Sequence, residues 1–282
     1  MNVRDAFKAV FPGVLQPYLK KSYCFYRAKT RVFRRYAREW RHAGSAVECP
    51  FCERTFSHFR ATGVLERPFW QSSEGQGLLQ LPYITVPNAL CPRCGSGERH
   101  RLLYLYLRDR LSLLERPPTK LLDIAPNDFL WHRVFSEAKM EYVSIDLNGA
   151  RRPTMLMSVT DLGFPDDTFD AIICYHVLEH IVDDIKAMGE LYRVLKPGGW
   201  GILQVPIWAR ATVEDSTVRR EEYATVYGHK DHARRYGLDY RDRLASVGFR
   251  VTVDDYVRQL PRDLVRHYGL LETEDIYFCE KI

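Results

Sequence analysis

The chain has 282 residues, 46% of them hydrophobic and 27% charged, with a formal net charge of +5. That length holds one large domain, or one large and one small, and the composition is that of a folded globular protein, not a disordered or fibrous one. No uninterrupted apolar run approaches the roughly twenty residues of a membrane span, and the N-terminus "MNVRDAFKAVFPGVLQPYLKK" lacks a continuous apolar signal core; the expectation is a cytoplasmic protein, at most peripheral to a membrane.

The charge is unevenly spread. Residues 1–42 hold eleven Lys and Arg against two carboxylates, Asp5 and Glu39. Aromatics interleave with these cations, and Phe33, Tyr36 and Trp40 fall at i, i+3 and i+7 on one helical face. Residues 1–48 therefore read as a basic amphipathic helical segment, suited to an anionic membrane surface, to an RNA backbone, or to docking its aromatic stripe on its own domain.

Four of the seven cysteines form two matched C-x2-C pairs, "CPFC" (Cys49, Cys52) and "CPRC" (Cys91, Cys94). Two tight turns that each deliver two thiolates satisfy tetrahedral zinc, and a four-ligand site is closed, hence structural. A disulfide framework would need an oxidising compartment, and a redox motif a single pair. Cys24, Cys174 and Cys279 read as small buried apolar residues. A hairpin or loop between the pairs and a helix after them, "GSGERHRLLYLYLRDRLSLL", complete a zinc-binding module over 49–118. The helix carries Leu102, Leu103, Tyr106 and Leu107 on its apolar face, with Arg99, His100 and Arg101 tying it to its neighbours. "RPPTK" at 116–120 marks the boundary.

From 119 onward strands and helices alternate, the pattern of a parallel sheet covered on both faces. Strands are expected at "KLLDIA", "EYVSID", "TMLM", "FDAIICYHV", "WGILQVPI", "RVTVDDY" and "EDIYFCEKI". Helices are expected at "NDFLWHRVFSEA", at 180–195 with "KPGG" as its stop, and at "DYRDRLASVGF". The segment 208–237 is long for a strand-to-helix connection and reads as an insertion at the rim of a site.

Taken together, "LLDIAPNDFL", "YVSIDLN", "TDLGFPDDTFDAIICYHVLEHIVDD" and "ELYRVLKPGGWGILQVP" resemble the class I S-adenosylmethionine-dependent methyltransferases. With the CPxC pairs, "ERHR" and "YGHKDHARRYGLDY", the chain resembles a bacterial subgroup with an N-terminal zinc module. The resemblance implies a Rossmann-like α/β fold with a seven-stranded sheet whose last strand is antiparallel. It places the cofactor at the carboxyl ends of the strands. Asp123 and the turn Ala125-Pro126-Asn127 would line it, Asp146 and Leu147 would meet the ribose, Asp161 and the Leu162 amide would read the adenine edge, and Cys174 to His176 would lie beside the methyl group. The usual turn is glycine-rich. A sulfonium amino acid has no pyrophosphate to approach closely, and Asn tolerates a left-handed turn, so this one is read as permissive.

Methyl transfer is an in-line displacement that needs alignment and, for a hydroxyl acceptor, a base. His176 is one candidate base. Asp231, between His229 and His232, could orient either as another, or join them in a second metal site. Glu179 and His180 are expected to begin the following helix. The leading expectation is methylation of a hydroxyl or amine on a small-molecule, lipid or glycan-type acceptor. RNA methylation through the basic N-terminus and a non-catalytic scaffold stand as alternatives.

Overall fold

The computed structural model describes residues 36–37, 39–61, 88–113, 115–126, 140–149 and 152–282. Most of the basic segment, Cys24 and the helix expected at 127–138 lie outside them. At 36–37 and 39–41 the chain is helical. Tyr36 and Trp40 stand 55% and 82% exposed, so these two do not dock on the domain as a stripe.

Strands β1 (Val47–Cys49) and β2 (Arg54–Phe56) form an antiparallel hairpin around the first cysteine pair. Helix α1 (Glu98–Leu105) follows the second pair and continues as one π-helical turn, Tyr106–Arg110. Its expected apolar residues, Leu102, Leu103, Tyr106 and Leu107, are each no more than 2% exposed.

Next come β3 (Lys120–Ile124), β4 (Glu141–Asp146), β5 (Met155–Leu156), β6 (Phe169–Tyr175), α2 (Asp184–Val194) and β7 (Leu195–Gln204). The insertion holds β8 (Ile207–Ala209), α3 (Tyr223–Tyr227) and β9 (Tyr236–Gly237). Then follow α4 (Tyr240–Ser246), β10 (Arg250–Asp254), α5 (Tyr256–Gln259), α6 (Arg262–His267) and β11 (Ile276–Glu280). The main sheet has seven strands in the order β10-β11-β7-β6-β3-β4-β5. Strands β3 to β7 pair in parallel, and β11 runs antiparallel between β7 and β10.

Because side chains alternate along a strand, each strand feeds two cores. Leu121, Ala171, Ile173, Ile202 and Ile276 face the cysteine-bearing module and pack with Phe51, Phe56, Phe59 and the α1 leucines. Leu122, Ile124, Ile172, Cys174 and Leu203 face the other way, onto Ala187, Met188 and Leu191 of α2 and Leu244 of α4. The N-terminal module thus covers one face of the sheet as a helical layer would.

Two boundaries differ from the sequence reading. Leu178–His180 is a separate 3-10 turn, and α2 begins only at Asp184, capped by the Asp183 carboxylate that accepts from the Lys186 amide at 3.1 Å. Asp183 offers a side-chain acceptor to an otherwise orphan amide, which Glu179 in its buried turn does not. The strand expected through Ile207 stops at Gln204, and Ile207 starts β8, paired with β9. Gly237 is demanded there, since a Cβ would lie 2.3 Å from the Ala211 carbonyl carbon.

The insertion is docked by buried charge. The Arg234 guanidinium, 1% exposed, donates to the carbonyls of Leu178, Ile181 and Val182 and to Glu214. Asp184, 2% exposed, accepts from Arg243 and from the Tyr236 hydroxyl. These bonds fix residues 178–182 against 214–243, which sets the positions of several histidines.

Candidate functional site

The parallel strands β3, β4 and β6 end side by side, and the loops that leave them make the mouth of an open α/β sheet. At the first, Asp123 is 2% exposed and accepts from the Tyr142 hydroxyl at 2.7 Å across the β3–β4 pair. The left-handed residue of the following turn is Ala125, at φ +54°, its amide donating to the Ile145 carbonyl at 2.7 Å. The expected left-handed residue, Asn127, lies outside the described residues. Pro126 follows Ala125 and is buried.

At the end of β4, Asp146 accepts from the Asn148 amide at 2.9 Å, a local turn that orients its carboxylate, while Leu147 is 69% exposed. The main chain adjoining Asp146 is that of Met157, whose amide donates to the Asp146 carbonyl at 3.0 Å. Asp161 and Leu162 come one turn later. The Leu162 amide, expected to meet an adenine edge, donates instead to the Glu190 carboxylate at 2.7 Å, and Arg193 holds that carboxylate in an ionised state below the usual range. The amide is therefore engaged by the protein itself. Cys174 is fully buried, and that burial pushes its thiol pKa up; its side chain packs in the core rather than at the mouth.

Beyond β6 the chain makes a sharp departure. His176 takes φ +57°, its amide donating to the Gln204 carbonyl at 2.8 Å. A non-glycine residue in that region is strained, and such strain gathers at functional sites. Its Nδ1 lies 3.2 Å from Glu179 Oε1, while His176 Nε2 and Glu179 Oε2 are buried with no hydrogen-bond partner among the described residues. Burial, then Arg99 of α1, lowers the His176 pKa below its ordinary value. Burial, the largest single influence, raises that of Glu179, but the hydrogen bond to His176 and the neighbouring His176, His180 and His232 rings together outweigh it, and the net shift is downward. The state consistent with both is a neutral imidazole donating Nδ1–H to an ionised Glu179, with the Nε2 lone pair open. Glu179, read from the sequence as a commonplace helix-start carboxylate, is the orienting group.

The structure joins His229 and His232 to His180, not to the Asp231 carboxylate. Each of the three rings offers a ligand atom within 4.8 Å of the other two. Asp231 contributes main chain only: its carbonyl contacts His180 Nδ1 at 2.9 Å and its amide contacts His229 Nδ1 at 3.2 Å. It orients two rings through the backbone, so a carboxylate–imidazole pair at Asp231 is not formed.

The four module cysteines converge from β1, the hairpin turn and the second knuckle. Cys49 and Cys94 sulfurs are 3.6 Å apart, Cys52 and Cys91 sulfurs 3.7 Å, and all four ligand atoms lie within 4.8 Å of one another. Neighbouring sulfurs draw the Cys49 thiol down to about 7 and push Cys52 and Cys91 up. Four adjacent thiolates repel, and only a cation among them lets all ionise together. Arg101, fully buried, lies close by. It donates to five carbonyls, those of Asn88, Ala89, Ser96, Tyr268 and Gly269, and stacks over Phe59 at 4.1 Å. A cation in this place complements thiolate charge and binds the module to the loop after α6. Arg99 and Arg101 thus part company, one facing His176 and one the sulfur knot.

Residues 130–203 match the family model described as a methyltransferase domain. The chain is 28% identical over 138 residues, 49% of its length, to an uncharacterized methyltransferase of Schizosaccharomyces pombe, of which this covers 46%. It is 35% identical over 107 residues, 33% of its length, to a demethylmenaquinone methyltransferase of Streptomyces avermitilis, again covering 46% of that protein. The chain therefore spans less than half the length of these curated relatives. A solved S-adenosylmethionine-dependent methyltransferase from Archaeoglobus fulgidus aligns at 14% identity and a TM-score of 0.43, covering 64% of this chain and 94% of that one. The seven-stranded sheet order is that of the Rossmann-like methyltransferase fold, and the match of residues 130–203 to a methyltransferase domain supports S-adenosylmethionine-dependent methyl transfer.

Proposed function

We propose that this protein methylates a hydroxyl of a small-molecule, lipid or glycan-type acceptor, and that its four module cysteines hold one structural zinc. The observation that carries the first part is the unpaired, buried Nε2 of His176 at the carboxyl end of β6. An orphaned acceptor in that place stabilises nothing in the folded chain and is positioned to take a proton from an acceptor hydroxyl.

S-adenosylmethionine, when bound, supplies an electrophilic methyl group. The strand ends fit it: Asp146 would hold the ribose hydroxyls, and the turn at Ala125 and Pro126 would border the amino-acid end. The chain at Met157 and Ser158, beside Asp146, would meet the adenine in place of Leu162. His176 then accepts the hydroxyl proton at Nε2 as the acceptor oxygen becomes nucleophilic, and Glu179 stabilises the imidazolium that results. The insertion packs on the loop after β6, its Ala233 amide donating to the Glu179 carbonyl at 2.7 Å, and would help exclude water from this end of the site.

Calorimetric titration with S-adenosylmethionine and S-adenosylhomocysteine tests the cofactor reading. Asp146→Ala is expected to weaken both by at least about 1.5 kcal/mol, the scale of a lost charged hydrogen bond. Unchanged affinity would remove Asp146 from the ribose role, and absence of binding by the wild-type chain would favour the scaffold alternative.

A further inference from the structure

We propose that His180, His229 and His232 form a second metal site, for a divalent cation of the zinc type, distinct from the cysteine knot and open at its fourth position. The three residues come from separate places. His180 closes the 3-10 turn after β6, while His229 and His232 follow α3 in the insertion. Gly228, left-handed at φ +80°, ends α3 and turns the chain back, and the buried Arg234 network clamps the two segments together.

The rings meet closely for a reason that side-chain packing alone does not supply. Ring centroids are 4.8 Å apart for His180 and His232, 4.8 Å for His229 and His232, and 6.0 Å for His180 and His229. His232 is 7% exposed, with the Trp208 ring at 5.3 Å on its flank, yet no ring hydrogen bond to it is found among the described residues. His180 Nδ1 donates to the Asp231 carbonyl, which leaves its Nε2 as a lone pair. That pairing, a backbone carbonyl behind a ligating imidazole, is the usual device that orients a histidine toward a metal. Three imidazoles within reach of one point, with a carbonyl behind one of them, match the three-histidine set that holds zinc while leaving one position for water or an oxygen ligand. Exposure of His180 keeps that position open to solvent.

Two adjustments are required. Nitrogen–metal bonds of about 2.0–2.1 Å need the three ligand atoms drawn in from their present spread. His229 must release the Asp231 amide, which it now accepts through Nδ1 at 3.2 Å, the longer of the two Asp231 contacts. A site of this kind also ties the insertion to the turn that carries Glu179, so metal binding and the geometry of the His176 pair are mechanically joined.

The test is a cobalt(II) titration of the purified full chain after dialysis against a mild chelator, followed by visible absorption. One equivalent per chain is expected to bind with weak ligand-field bands and no sulfur-to-cobalt charge-transfer band, while any cobalt entering the cysteine knot announces itself by that band and is scored separately. His180→Ala and His229→Ala, both outside the core, are expected to weaken the nitrogen-site phase by at least about tenfold, with unchanged far-ultraviolet circular dichroism. Cobalt uptake only with the charge-transfer band would overturn the site, as would a nitrogen-type phase that both variants leave intact.

Discussion

The sulfur knot and the histidine cluster are built from the same number-of-donors logic and end as opposites. Cys49, Cys52, Cys91 and Cys94 arrive in two tight turns, are half or more buried, and have a fully buried cation, Arg101, behind them. His180, His229 and His232 arrive from two segments more than forty residues apart, grade from exposed to buried, and have the main chain of Asp231 behind two of them and the Trp208 ring beside the third, with no counter-charge like Arg101 among the described residues. A closed set with a built-in counter-charge is a fold element. An open set on the rim, beside the buried His176–Glu179 pair, has the form of a site that admits a further ligand.

The largest effect expected from breaking this contrast is at the knot. Cys91→Ser removes one of four ligands, and since binding of structural zinc is itself folding free energy, the module should lose both metal and structure together. Elemental analysis should fall from one tightly held zinc per chain to none, with loss of the core formed by Phe51, Phe56 and Phe59. Soluble, folded wild-type protein with no metal would contradict the assignment. By contrast, the histidine variants should leave the fold standing.

Arg101→Met comes next. It keeps much of the apolar stem but leaves five carbonyls without their donor and the thiolates without a neighbouring cation. Loss of a buried charged partner is worth about 3–5 kcal/mol, expected as a lower urea midpoint with weaker zinc retention. If the midpoint fell while zinc was held as before, Arg101 would be a tie between module and α6 and nothing more.

The two clusters also show what a sequence discloses. The knot was legible because each half is local, a C-x2-C turn whose spacing speaks by itself. Strand β4 was equally plain, "EYVSID" matching Glu141–Asp146 residue for residue, since alternation along a strand is a local signal. The histidine set was half visible: His229 and His232 stood out, but His180 joins them through tertiary bonds, those of Arg234 and of the Ala233 amide, that hold the 178–182 turn on the insertion. Asp231 drew attention by its carboxylate and acts through its backbone, which no residue letter reveals. Glu190 captures the Leu162 amide from 28 residues away, again a matter of tertiary placement.

A smaller and more diagnostic effect lies at the buried base. His176→Ala should lower kcat about 10²–10⁴-fold on a hydroxyl acceptor, the range for a lost general base. Its pKa lies below the ordinary 6.5, through burial and then Arg99, and the neutral ring is the active form. Activity should therefore persist at and below pH 6.5 and fall only as the ring takes a proton. Glu179 favours the charged ring, so Glu179→Gln, which retains an acceptor, should move this acid limb to still lower pH. A limb that stayed in place, or moved up, would show that Glu179 does not act on His176.

The smallest effect distinguishes a strained turn from a failed one. Ala125 sits at φ +54°, a region that favours glycine, and an L-residue there costs roughly 1–2 kcal/mol. Glycine would relieve this, while the greater freedom of the unfolded chain would return roughly 0.4–1 kcal/mol of it. The difference favours Ala125→Gly by about 0–1.6 kcal/mol, a rise of up to a few degrees in Tm. The Ala125 amide keeps its bond to the Ile145 carbonyl in either case, so the turn holds its shape and cofactor affinity should change little. Should glycine instead tighten cofactor binding tenfold with no gain in Tm, the alanine methyl itself would be the obstacle, and the glycine-poor turn would be a brake on the site rather than a strained but equivalent solution.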